Sequence, residues 1–409
     1  MRKEIFRKLH LWLSVPFGLV IVTTCLTGAI LVFEDEVTAL CNKDVATVEI
    51  KGDPLPFETL VQNVEKSLPD GVSVSGIVVS EKPTEAYKIN LNKPKGAAFY
   101  INQYTGKVTG EAGRLPFFRT VFRLHRWLMD SNPGNGAVFW GKTIVGTSTL
   151  CFVLILLTGL VIWWPRNRKM LKNRLQIALK KGKNRFWYDL HVAGGFYAML
   201  LLLVMALTGL TWSFEWYRNG AYALFGAGEP KETTVVERKS PTRVETPVCS
   251  GSCRDCTLPV CVNSAESKSI AVDAQSGATS LVTAPQATGF DSWQKAYEEV
   301  VAIVPHFETI TVSAGTVSVK VSKYGNMRAA DKYMFDKDSG AITSVELYKD
   351  SARKGKLSGW FYSLHTGSWG GLLVRVLYFL AALLGATLPL TGYYLWIKRL
   401  YGKNKNKQQ

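Results

Sequence analysis

Four of the five histidines in this 409-residue chain stand immediately before long apolar runs: His10, His125, His191 and His365. Their surroundings repeat. From His10 to Gly28 is eighteen residues and from Gly28 to Glu34 six, and His191, Gly209 and Glu215 keep both spacings. His125 precedes Gly159 by 34 residues and His365 precedes Gly392 by 27. The difference falls where Asn132-Pro133-Gly134-Asn135-Gly136 reads as a turn. Neutral imidazole is a metal ligand, so two imidazoles related by such a repeat could hold one metal ion between them.

The elements that must carry these histidines are membrane helices. Leu11–Phe33, Thr143–Trp164, Leu190–Phe214 and Val376–Ile397 contain no Asp, Glu, Lys or Arg, and about 20 apolar residues suffice to cross the hydrocarbon core. Charge sets the orientation. Arg2, Lys3, Arg7 and Lys8 precede the first run, the Arg166–Arg185 loop holds nine basic residues and no acid, and Lys398, Arg399, Lys403, Lys405 and Lys407 end the chain. The positive-inside rule places both termini and that loop in the cytoplasm, and the two other segments in the periplasm of a bacterial inner membrane. The net charge of +17 then reflects topology and contact with anionic lipid, with no nucleic acid implied. The first run is too long for a signal peptide and lacks a cleavage site, so it reads as a retained anchor.

This topology puts His10 and His191 near the inner face and His125 and His365 near the outer face. Each half of the chain is helix, external domain, helix, with a pseudo-twofold axis along the membrane normal. Haem iron suits two such pairs, because imidazole is a common axial ligand and a bis-histidine haem favours electron transfer. Zinc suits them less, since it takes three or four clustered ligands. Gly28 and Gly209 lie about 27 Å along their helices from the inner histidines at 1.5 Å per residue, near the outer level, and Gly159 and Gly392 approach the inner level. Gly18, Gly194 and Gly195 also lie near the inner histidines. Small residues at these points let a backbone approach a flat macrocycle.

Outside the spans, Phe99–Asn102 leading to Thr105–Val108, and Tyr333–Asp336 leading to Ser339–Ile342, read as hairpins. Ile270–Asp273 with Ser276-Gly277 is a third candidate. Amphipathic segments at Phe57–Leu68 and Trp293–Val304 precede the hairpins, so each external unit reads as a small α+β domain.

Leu9-His10-Leu11-Trp12 with Thr27-Gly28-Ala29, Leu124-His125-Arg126 with Thr158-Gly159-Leu160, Asp189-Leu190-His191, and Leu364-His365-Thr366-Gly367 resemble the motifs of the PepSY-associated transmembrane family. The resemblance implies a membrane α-helical fold, a four-helix bundle of two tandem repeats with periplasmic α+β PepSY-like domains. The plan would place the first span in 1–36, a PepSY-like domain in 37–115, an outer interfacial segment and second span in 116–165, and a basic cytoplasmic loop in 166–188. The third span would fill 189–216, a second periplasmic domain with a Cys-rich insert 217–358, the fourth span 359–398, and a cytoplasmic tail 399–409. The family includes inner-membrane siderophore reductases with two haem b groups. The implied activity is haem-dependent reduction of ferric siderophore iron, with His10, His191, His125 and His365 as axial ligands. A non-enzymatic PepSY regulator or peptidase-binding protein, and a siderophore permease, are the alternatives. With no G-x-G-x-x-G after a strand and no P-loop, the donor would be a quinol or a cytoplasmic protein.

Cys249, Cys253, Cys256 and Cys261 form C-x3-C-x2-C-x4-C, read outside the membrane as possible disulfides and in a reducing compartment as a metal site. Cys41 lacks an obvious partner, and Cys25 and Cys151 read as packing residues. Arg114, Arg119, Arg123 and Arg126 face haem propionates or an anionic chelate, or form a solvated face. Glu34 and Glu215 occupy corresponding outer positions, serving the outer site or ending helices. Trp163, Trp164, Trp187 and Trp396 fit an interfacial belt, and His306 has no assigned role.

Overall fold

The computed structural model describes residues 2–134, 136–227, 289–320 and 325–405. The first half runs α1 (Arg2–Leu31), α2 (Glu34–Cys41), α3 (Lys43–Ala46), α4 (Phe57–Glu65), β1 (Val74–Ser80), β2 (Tyr87–Leu91), β3 (Ala98–Ile101), β4 (Val108–Glu111), α5 (Pro116–Trp127) and α6 (Trp140–Trp163). The connecting loop carries α7 (Arg168–Leu175) and α8 (Lys183–Asp189). A single π turn, Leu190–Gly194, leads into α9 (Gly195–Ser213), followed by α10 (Glu215–Leu224), α11 (Gly289–Ile303), β5 (Thr309–Ser313), β6 (Thr316–Lys320), β7 (Asp331–Phe335), β8 (Ile342–Glu346), α12 (Arg353–Thr366) and α13 (Gly371–Lys405).

Among the described residues four helices are long and apolar enough to cross a membrane: Lys3–Leu31, Trp140–Trp163, Lys183–Ser213 and Ser368–Tyr401. Each overlaps one of the expected runs. All four continue past it into charged sequence, because the helical backbone stays hydrogen-bonded while Lys and Arg heads reach water. α1 packs on α6 and α13, and α9 packs on the same two helices. The spans thus close into a ring with α1 and α9 across from one another. Ile21, Phe152, Leu156, Leu202, Leu210 and Ala381 fill its interior. Trp12, Leu19, Leu200 and Leu373 stay exposed on its outside, where lipid replaces water as the solvent.

The outer histidines are not at the mouths of the spans. His125 sits on α5 and His365 on α12, separate helices that precede α6 and α13. Leu128 ends α5 in the left-handed region, followed by Met129 in the same region. Gly367 ends α12 at φ 73°, the usual place for glycine. α5 then lies against α1, and α12 against α9.

Both expected hairpins form, as β3–β4 and β7–β8, and α4 and α11 stand at the expected amphipathic segments. The external units are not two separate domains, however. β1 pairs antiparallel with β5, from Gly76 opposite Ser313 to Ser80 opposite Thr309. The result is one eight-stranded sheet in the order β4-β3-β2-β1-β5-β6-β7-β8. Either set of four strands alone would leave a long apolar strand as an open edge. Pairing removes both edges, and α4 and α11 cover one face over a common core that includes Leu60, Ile77, Ile89, Val300, Ile310 and Val317. The third candidate hairpin lies outside the described residues.

Candidate functional site

The ring of spans brings the inner histidines together. The His10 and His191 imidazoles lie with ring centres 6.4 Å apart and planes at 87°. The outer pair does the same, with His125 and His365 at 6.2 Å and 57°. All four are half-buried.

One local device seats every ring. His10 Nδ1 is 3.1 Å from the Ile155 carbonyl and 3.1 Å from Thr158 Oγ1. His191 Nδ1 meets the Leu388 carbonyl at 3.1 Å and Thr391 Oγ1 at 2.9 Å. His125 Nδ1 meets Thr24 O at 2.9 Å and Thr27 Oγ1 at 3.1 Å, and His365 Nδ1 meets Met205 O at 2.8 Å and Thr208 Oγ1 at 3.2 Å. Each threonine hydroxyl donates to the carbonyl four residues before it, so towards the imidazole it acts as acceptor. A carbonyl can only accept, so Nδ1 carries the proton and Nε2 keeps its lone pair. Among the described residues none of the four Nε2 atoms makes a hydrogen bond.

The residue after each threonine is glycine, and the imidazole edge lies against it. A Cβ added at Gly28 would stand 3.1 Å from His125 Cε1, and one at Gly209 would stand 3.0 Å from His365 Cε1. At Gly159 and Gly392 the distances to His10 and His191 Cε1 would be 3.3 and 3.6 Å. These four glycines lie at the expected levels, but what they admit is the histidine ring. Gly18 instead receives the Tyr393 hydroxyl. The Thr-Gly pairs recur at all four places in the sequence, but the role of Thr27, Thr158, Thr208 and Thr391 as seats for the imidazoles was missed there.

Local structure holds the rings in position. His191 lies in the π turn, a form common at functional sites. Just before it, buried Asp189 accepts from Arg185 Nε at 2.9 Å and from the Ala178 amide at 3.1 Å. Trp212, another residue the sequence did not single out, packs edge-on to His365 at 5.2 Å. Burial pushes the His125 imidazole down to about 4, helped by the neighbouring His365 imidazole and by the Arg126 charge. Burial, with Arg126, holds His365 down to about 4. Both are therefore neutral near pH 7, the form that binds metal.

Among the described residues no three His, Cys, Asp or Glu cluster as a metal site. Two imidazoles per level suit a metal that brings its other ligands with it. Two metal–nitrogen bonds of about 2 Å, with roughly 1.1 Å from each nitrogen to its ring centre, span about 6 Å, which the observed separations match. Beside His10 and His191 lies a cavity of about 470 Å³, within the range of cofactor pockets.

The remaining sequence candidates divide. Arg114 is bound to Glu34 through Nε and Nη2, Arg123 to Met129 O and Ser131 Oγ, and Arg119 to the Arg114 carbonyl at 3.5 Å. Arg126 lies over the Phe122 and Trp127 rings, and its charge acts on both outer imidazoles. Glu34 and Glu215 begin α2 and α10 rather than ending the spans, where acids favour a helix N-terminus. Trp163 is buried in the cavity wall, stacked on Phe196 at 3.8 Å, and not in an interfacial belt. Cys25, Cys41 and Cys151 are free thiols, and His306 lies exposed beside Glu81. Cys249, Cys253, Cys256 and Cys261 lie outside the described residues.

A family model described as PepSY-associated TM region matches residues 7–399. No match was found among curated proteins.

Proposed function

The chain belongs to the PepSY-associated transmembrane family of multi-pass membrane proteins, and from that premise we propose that it is a haem-containing reductase. In this reading it sits in a bacterial inner membrane with both termini cytoplasmic and the sheet in the periplasm. It passes electrons outward to reduce ferric siderophore iron. The observation that carries the reading is the pair of facing imidazole pairs, each ring with a tied Nδ1 and an unused Nε2.

Bound haem supplies one-electron redox chemistry at each level. The chain supplies the rest. His10 and His191 would hold the inner haem, and His125 and His365 the outer. Donation from Nδ1 to a carbonyl and a threonine oxygen fixes the tautomer and raises the basicity of Nε2. Two imidazoles per haem would favour electron transfer over ligand chemistry. Between the levels, Ile21, Phe152, Leu202, Leu210 and Ala381 pack without a charged group, which admits electrons and excludes water. A quinol or a cytoplasmic donor is oxidised on the inner side. Each ferric ion outside gains one electron, and ferrous iron is held more weakly by hard oxygen chelators.

The matching succession of elements in the two halves supports descent by internal duplication. The four Thr-Gly seats are its strongest trace.

The test is direct. Protein purified from haem-supplied cells should be red and yield two haem b per chain by pyridine haemochrome. In proteoliposomes with a reduced quinol inside, it should reduce an external ferric chelate. Colourless protein would leave a regulatory role for the external sheet. Haem without transfer to the chelate would remove the siderophore part alone.

The threonines give a finer expectation. Thr158→Val or Thr391→Val deletes one acceptor from Nδ1 and leaves the carbonyl. Haem should be retained, with its affinity weakened by roughly tenfold or more, as outer-partner losses are. The inner haem's midpoint potential should rise, because a less electron-rich imidazole stabilises ferric iron less. Spectroelectrochemical titration reads the shift, and an unchanged or lower potential would contradict this role.

A further inference from the structure

The geometry points to Arg7, Arg174 and Arg399 as the anchor for the two carboxylates of the inner haem. This inference rests on the haem reading above. It fixes which way that haem faces: its carboxylate edge toward the basic, terminus-bearing side.

All three arginines line the cavity beside His10 and His191, and no acidic residue lines it. None of the three has an ion-pair partner among the described residues. Some other arginines near the span ends do have acidic partners. Arg114 pairs with Glu34, Arg185 with Asp189, Arg218 with Glu215 and Arg375 with Glu36. Three guanidinium groups without an acidic partner around one open cavity repel one another unless an anion enters.

Their placement suits a dianion below the level of the iron. Arg7 lies one turn before His10 on α1, and residues three apart share a helix face. Arg399 lies seven residues beyond Gly392, the seat of His191, so two turns further along α13. Both are exposed, at the mouth. Arg174 is half-buried, and its Nη1 donates to the Ile162 carbonyl at 3.1 Å and to the Trp163 carbonyl. That contact holds the guanidinium in place and leaves its other N–H groups for an incoming carboxylate, which the planar fork can bind in bidentate fashion. In the same wall, the buried indole N–H of Trp163 has no partner among the described residues, the kind of polar atom that native interiors rarely leave unpaired.

The competing source of negative charge is a lipid phosphate, and the experiment separates the two. The full chain carrying His125→Ala and His365→Ala, so that only the inner pair takes up haem, is titrated with haem and with haem dimethyl ester. The ester presents the same macrocycle without charge. Haem should bind more tightly than the ester by roughly tenfold or more, the scale of a charge-assisted hydrogen bond. Adding Arg7→Gln, Arg174→Gln and Arg399→Gln should abolish that preference. Arg7→Gln with Arg399→Gln should halve it on a logarithmic scale without touching the Arg174 contacts, with circular dichroism confirming unchanged helicity. Equal affinity for haem and ester before the arginines are changed, or a preference that survives their loss, overturns the anchor and leaves the haem reading standing. So does loss of bound phosphatidylglycerol, measured by native mass spectrometry, with the preference unmoved. Failure of the starting protein, with all four histidines, to take up any haem sinks both.

Discussion

His10→Ala is expected to leave a protein with one haem instead of two, and His365→Ala a protein lacking the other. The reason is geometric. With ring centres 6.4 and 6.2 Å apart, each iron would need both imidazoles of its pair, and among the described residues no third His, Cys, Asp or Glu joins either pair. Removing an axial ligand should cost more than the roughly 10–100-fold in affinity that follows from losing an outer partner. Transmembrane reduction should fall to background in either variant, since the inner and outer levels act in series. The pairing gives a sharper version. His10→Ala with His191→Ala should lose no more haem than either alone, a fully non-additive result. His10→Ala with His365→Ala should lose both haems. If the first double variant lost two haems, and His10→Ala with His125→Ala lost only one, the pairs would run along the chain halves and not across them. Haem per chain by pyridine haemochrome, with reduction followed in proteoliposomes, reads all of these.

The inner pair was legible because hydropathy and basic flanks fix which ends of the spans share a side. Once His10 and His191 begin helices that start on the same face, a repeat places them opposite each other. The glycine levels followed from a rise of 1.5 Å per residue. What the glycines contact was not legible, because spacing along one helix does not say what another helix presents to it. The threonine role stayed hidden for the same reason, since it requires Ile155, Thr158 and Gly159 to meet a ring 145 residues away. Placing His125 at the mouth of α6 failed on a local conformation. Leu128 and Met129 adopt positive φ, which apolar residues seldom do, so nothing in their types signals the end of α5. The β1–β5 pairing escaped because either strand alone reads as an ordinary alternating segment. Only the need to cover two open edges joins them. Trp163 was misplaced because a tryptophan near a span end fits a lipid interface and a cavity wall equally well until its neighbours are known.

The glycine seats carry the second large effect, and it is graded. Gly209→Val and Gly28→Val should each eliminate the outer haem while leaving the inner one. A Cβ alone at these positions stands 3.0 and 3.1 Å from an imidazole carbon, tighter than carbon–carbon contacts ordinarily allow, about 3.5–4.0 Å. Valine adds two methyl groups on the same side, so the ring must swing away. Because Nδ1 is tied to the carbonyl four residues before the glycine, at Met205 or Thr24, any swing breaks that bond and moves Nε2 off the metal axis. Alanine should be milder, and its effect should follow the measured room. Gly209→Ala and Gly28→Ala should weaken outer haem retention, Gly159→Ala should weaken inner haem retention less, and Gly392→Ala, with 3.6 Å available, should be close to neutral. Helix propensity predicts the opposite ranking of Gly against Ala, since alanine is better than glycine inside a helix by about 1 kcal/mol. A variant that loses haem while its helix content holds or rises therefore separates seat from scaffold. Haem content set beside circular dichroism across the alanine and valine series reads the distinction. Equal tolerance of valine at all four positions would mean that the rings are not seated on the glycines at all.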